Sequence, residues 1–155
     1  MTDSNATPGR RPRIDGVAYH GGAIRLPNYP DPVVIDLAGL VIPDKLALLL
    51  NHENATHARV GAVRVVNRGH ALEIAGDITA SHAEAKHVIE QGDWSLSIGA
   101  EPIETERVKA GRKFHANGRE FAGPMAWVKR ARLREVSIVA VGADAEASAT
   151  IAASC

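Results

Sequence analysis

The chain has 155 residues, enough for one domain with a full core and no covalent staples. Its Lys plus Arg total of 18 equals its Asp plus Glu total of 18, which argues against a nucleic-acid or membrane-surface protein. The one cysteine, Cys155, excludes an internal disulfide and a cysteine-built zinc site, and the lack of a membrane-length apolar run or signal-peptide core predicts a soluble, intracellular protein.

Taken in order, residues 1–13 are polar and carry Pro8, Gly9 and Pro12, so a disordered leader is expected there. Residues 16–26 read as a first strand interrupted at Gly21-Gly22, and a turn-rich stretch follows at 27–32. Residues 33–42 are β-branched and predict a long strand, bulged near Asp36 and Gly39. Residues 45–50 alternate except at Leu49 and lead into Asn51-His52-Glu53. A hairpin is expected from 59–66 and 70–78 around Asn67-Arg68-Gly69. The clearest helix spans 81–91, where Ser81 and Glu84 form a capping box, Ala85, Val88 and Ile89 give an apolar stripe, and Gly92 stops the run.

The next stretch carries the candidate chemistry. On a strand through residues 94–100, Leu96, Ile98 and Ala100 share one face, and Ser95, Ser97 and Gly99 the other. A face of only hydroxyls and glycine packs poorly but presents a nucleophile well, and Gly99 admits a close approach by another backbone or a substrate. Residues 101–120 are charged and read as one or two exposed hairpins, and 124–128 and 133–141 return to strand. The Ala- and Ser-rich residues 143–155 read as a flexible tail. The expected architecture is mostly β: a closed or nearly closed antiparallel barrel over 14–142 with one peripheral helix. With aromatics at only 4%, Val, Ile, Leu and Ala must build its core.

Two constellations compete for the chemistry. His52-Glu53 followed by His57 resembles a zinc-peptidase pattern, but its spacing of five rotates the second histidine about 100° off the shared helix face, so no metal or other cofactor is expected. Nucleophilic catalysis needs a serine, a base and a group that orients the base. His52, at the rim of a leucine run, and Glu135, a carboxylate in an apolar run, supply the base and the acid beside the serine strand.

Leu50-Asn51-His52 followed by Val60-Gly61, then Leu72-Glu73-Ile74-Ala75-Gly76, Ser97-Ile98-Gly99-Ala100 and Leu133-Arg134-Glu135-Val136-Ser137-Ile138-Val139, with a closing Gly142-Ala143-Asp144, resemble the prohead maturation proteases of tailed bacteriophages. The resemblance covers residues 24–150 and implies a barrel similar to the herpesvirus assemblin protease. It implies a serine endopeptidase that cuts scaffold or capsid-protein segments, and itself, inside the assembling procapsid in the bacterial cytoplasm. By position, the nucleophile falls on Ser97 and not Ser95, the base on His52 and the acid on Glu135. Asp77 is the reserve for the acid, and His115 is the only histidine after Ser97 that could imitate the second histidine of the herpesvirus enzymes. Backbone N–H groups or one of Arg132 and Arg134 would steady the oxyanion. The chain is short for that family. The partner implied is capsid or scaffold protein bound as a peptide, without nucleic acid or membrane, and with homo-oligomerisation left open. The competing readings are a non-enzymatic capsid or scaffold component, and a ligand-binding barrel whose pocket is lined by Ser95, Ser97 and His52.

Overall fold

A 15-residue strand over residues 125–139 sets the frame. Ala126, Val128, Ala131, Leu133, Val136 and Ile138 are buried along it, and their spacing slips by one residue after Val128 and again after Leu133. Each slip coincides with an irregularity in the strand ladder. An extra residue there exchanges the faces of everything beyond it. The second slip, at Arg134, keeps Val136 and Ile138 in the core and turns Glu135 and Ser137 outward together.

The structure is a computed structural model and describes residues 11–152. Its elements are β1 (Arg13–Tyr19), β2 (Val33–Ile35), β3 (Leu40–Val41), β4 (Leu46–Leu50), β5 (Arg59–Asn67), β6 (Leu72–Ile78), α1 (Ala83–Gln91), β7 (Asp93–Val108), β8 (Lys113–Ala116), β9 (Arg119–Ala122), β10 (Met125–Val139) and β11 (Ser148–Ala152). Seven strands close a barrel in the order β10-β4-β5-β6-β1-β11-β7, with β7 returning to β10. Six seams are antiparallel, but β4 pairs with β10 in parallel. The expected antiparallel barrel is thus closed and mostly antiparallel, with one parallel seam. Elements β5 to β9 intervene between β4 and β10, so no tight turn constrains their relative direction. Beyond the barrel, β2 and β3 add to β10, also in parallel. The core is aliphatic, with Ile14, Leu48, Val60, Leu72, Leu96, Leu133 and Val136 fully enclosed.

The helix docks through Ala85, Val88 and the partly buried Ile89, as its stripe predicts. Its cap differs from the expected box: the His82 ring accepts the Ala85 N–H at 3.2 Å, and Gly92 closes the C-terminal end. The expected long strand over 33–42 is broken. Asp36 accepts the Ala38 N–H with its own carboxylate and starts a 3₁₀ turn, a local bond that competes with the ladder. The two strands expected at 124–128 and 133–141 are one, because Ala131 continues the inward face between them. The 101–120 stretch is mostly exposed, as expected, and holds the start of the β8–β9 hairpin, while its first residues continue β7. Phe114 and Ala116 are buried in a small second core where Phe114 stacks on Phe121 and Trp127.

The tail expectation is also corrected. Ser148–Ala152 is β11, paired with β1 on one side and β7 on the other, with Ala149 and Ile151 buried. The expected leader falls mostly on residues 1–10, which lie outside the described residues, and Arg13 already belongs to β1.

Candidate active site

Two alternate rungs of the β7–β10 ladder, either side of the Ile98–Val136 pair, hold the outward-facing polar groups: Ser97 lies opposite Ser137, and Gly99 opposite Glu135. Histidine arrives from a third strand. After β4 the chain turns through Leu50-Asn51-His52-Glu53, closed by a 3.1 Å bond from the Glu53 N–H to the Leu50 carbonyl. Both central residues take positive φ, 54° at Asn51 and 59° at His52. Asparagine and histidine are among the non-glycine types that tolerate this conformation, at a cost of roughly 1–3 kcal/mol. The Asn51 N–H donates to the Ile138 carbonyl at 3.1 Å, which fastens the turn to β10. The turn thus folds the imidazole back over the outer face of β7 and β10.

There the ring bridges the two rungs. His52 Nε2 lies 2.8 Å from Ser97 Oγ, and His52 Nδ1 lies 2.7 Å from Glu135 Oε2. The Glu135 side chain is 15% exposed and that of His52 40%, so the acid stands behind the base and the base faces the solvent side. The hydrogen bond to the Glu135 carboxylate raises the His52 pKa above its ordinary value, and partial burial opposes this without cancelling it. Such a ring accepts a proton from Ser97 more readily than a solvated histidine does.

No family model, curated protein or solved structure matches the chain. The chemistry of the site therefore rests on its own geometry.

A cleft of about 520 Å³ opens beside His52 and Glu135, bordered by Lys45, Asn54, Arg132 and Arg134. Arg132 Nη1 is 3.8 Å from Glu101 Oε1. A smaller, mainly apolar recess of about 90 Å³ touches Ser97 and is lined by Tyr19, Ile24, Leu26, Ile98 and Ala100 among others. The polar, cation-bearing cleft thus lies beside the base and the acid, and the mainly apolar recess beside Ser97.

The structure brings Ser97, His52 and Glu135 together and leaves the other candidates elsewhere. Asp77 pairs with Arg13 at 3.5 Å, and His115 lies on β8 opposite Glu120. Ser95 stands two residues up β7, opposite Val139, while the histidine's Nε2 is engaged by Ser97. His57 turns to Glu53 at 3.2 Å, away from the carboxylate that His52 uses. At Gly99 the close approach is made by the side chain of Glu135 and not by another backbone or a substrate: its carboxylate occupies the space that a Cβ at Gly99 would need.

One participant is not singled out by the sequence. Ser137 is fully buried, donates to Glu135 Oε1 at 2.7 Å and accepts the His52 N–H at 2.9 Å. Its sequence signals are that it shares a strand face with Glu135, two residues away, and that it falls within the motif of residues 133–139, which gave it no role of its own.

Proposed function

We propose that this chain is a serine endopeptidase that cuts extended segments of capsid or scaffold protein during phage procapsid maturation, and that it also processes itself. The observation that carries the hydrolase reading is the continuous Ser97–His52–Glu135 relay, with 2.8 and 2.7 Å contacts at the two ends of one imidazole. The viral setting rests on the resemblance of the ordered motifs around these residues to prohead maturation proteases. The barrel and its single flanking helix are compatible with the assemblin-like fold that the resemblance implies.

In this mechanism Ser97 Oγ attacks the scissile carbonyl carbon while His52 Nε2 takes the hydroxyl proton. The imidazolium then protonates the leaving amine, and the C–N bond breaks to leave an acyl-enzyme. Water, deprotonated by the same ring, hydrolyses the ester and restores Ser97. Glu135 holds the ring's other nitrogen throughout, fixing the tautomer and stabilising the imidazolium.

A stretch of β7 edge that no strand pairs among the described residues supports an extended peptide as substrate. The Leu96 N–H donates to the Ala147 carbonyl, so the main-chain groups of Leu96 face the β11 side. By alternation those of Ile98 and Ala100 face the same side, where β11 pairs with β7 only over residues 93–95. Main-chain bonds to this edge would hold a peptide beside Ser97. Because β11 is paired along both edges, self-cleavage is expected outside it.

The deciding experiment is reaction with a fluorophosphonate probe followed by peptide mapping. Labelling at Ser97, lost in His52→Ala, supports the reading. Labelling that is indifferent to His52, or that falls on Ser95, overturns it. Mass spectrometry of wild-type and Ser97→Ala protein tests self-processing, which fails as an idea if both are trimmed equally.

A further inference from the structure

We propose that Ser137 is a positioning residue that couples the acid and the base of the site through one buried hydroxyl. The proposal deepens the hydrolase reading and rests on it. A serine hydroxyl has a single proton, and here that proton goes to Glu135 Oε1 at 2.7 Å. Its lone pair is then free for the His52 N–H at 2.9 Å. One atom therefore sets both the rotation of the carboxylate and the backbone position of the histidine it must meet.

The geometry assigns each oxygen of Glu135 one partner: Oε1 to Ser137 and Oε2 to His52 Nδ1. Without the hydroxyl, the carboxylate loses one of its two anchors and is free to turn away from the ring. The His52 N–H, in a turn of positive φ, loses its acceptor as well. Ser137 lies opposite Ser97 on the ladder, so the same residue sits beside the nucleophile in its own rung. A solvated serine on a strand would have no such consequences. This one is 0% exposed, so water cannot replace what it contributes.

The test compares Ser137→Thr with Ser137→Val, two side chains of nearly equal volume that differ in the hydroxyl. The first readout is the titration midpoint of the His52 ring, followed by nitrogen NMR, which requires no turnover. Glu135 is the carboxylate on that ring, and Lys45, Arg132 and Arg134 line the cleft beside it, all unchanged in both variants. The Val variant should titrate at lower pH than the Thr variant, because the raised midpoint depends on a held carboxylate. The second readout is hydrolysis of a p-nitrophenyl ester. The Val variant should lose about tenfold or more in kcat relative to Thr, with KM within about twofold. Equal midpoints, or equal kcat in an active enzyme, overturn the proposal. Where a variant does not fold, Ser137→Ala against wild type gives the same two comparisons. An enzyme that neither hydrolyses the ester nor labels at Ser97 sinks the hydrolase reading instead, and the midpoints then still decide Ser137.

Discussion

Three side chains, two on strands and one in the turn after β4, act through one imidazole, so the effects of removing them cannot add. Ser97→Ala and His52→Ala should each abolish most turnover, and the double variant should be little worse than either. Glu135→Gln should be milder, costing on the order of 10² to 10⁴ in kcat, because the base is then poorly oriented but still present. Kinetics on the four proteins check the ranking; additive losses would mean that the residues do not work as a unit. Gly99→Ala makes the same point from the neighbouring strand. A methyl group there takes the space of the Glu135 carboxylate, so its kcat should fall toward that of Glu135→Gln although no reacting group is touched. The pH dependence follows from the raised His52 pKa. The base must be neutral, so the acidic limb of kcat/KM should lie above about 6.5 and move down in Glu135→Gln. Stability runs the other way. A pKa raised by folding stabilises fully below about 6.5, and that contribution fades as pH climbs through the folded value. The wild type's advantage in Tm over Glu135→Gln should therefore shrink between pH 6 and pH 9, measured by calorimetry.

At the scale of elements, much of this site was legible and one part was not. The alternation in residues 94–100 shows that Ser95, Ser97 and Gly99 share a face, and β7 has that parity. The slip in apolar spacing at Arg134 shows that Glu135 and Ser137 face away from Val136, as they do. What spacing alone could not supply is the partner of that face. His52 comes from 45 residues before Ser97 and 83 before Glu135, and a bond of that span leaves no periodic trace. Leu49 is a smaller case of the same limit. It spoils the alternation of β4 because Leu48, Leu49 and Leu50 are all buried, both faces of the strand being covered at that end. The turn after β4 carries a prediction of its own. Asn51→Gly should keep fold and activity, since glycine adopts positive φ freely. Asn51→Val should cost roughly 1–3 kcal/mol in chemical denaturation and lower kcat by displacing His52. A valine variant as stable and active as wild type would show that the turn does not hold the histidine.

At the scale of the whole molecule, the barrel depends on a strand that composition hides. Residues 143–152 are rich in Ala and Ser, which reads as weak structure, yet Ala147, Ala149 and Ile151 recur at period two and all three are buried. Small side chains suit this position. β11 is wedged between β1 and β7, and the backbone around Ser148 and Ala149 comes so close to Gly16 that a Cβ there would collide with it. The signal was present in the alternation and was masked by the residue types. β11 contributes no residue to the triad, but without it β1 and β7 would face each other across an open gap, with Ile14 and Leu96 losing cover. Ending the chain at Gly142 should therefore remove the cooperative thermal transition and, with it, fluorophosphonate labelling at Ser97, even though Ser97, His52, Glu135 and Ser137 are all retained. Ile151→Ala should give the graded version, a loss of about 2–5 kcal/mol with labelling preserved in the folded fraction. A chain ending at Gly142 that still melts cooperatively and still labels would mean that six strands suffice to hold the site.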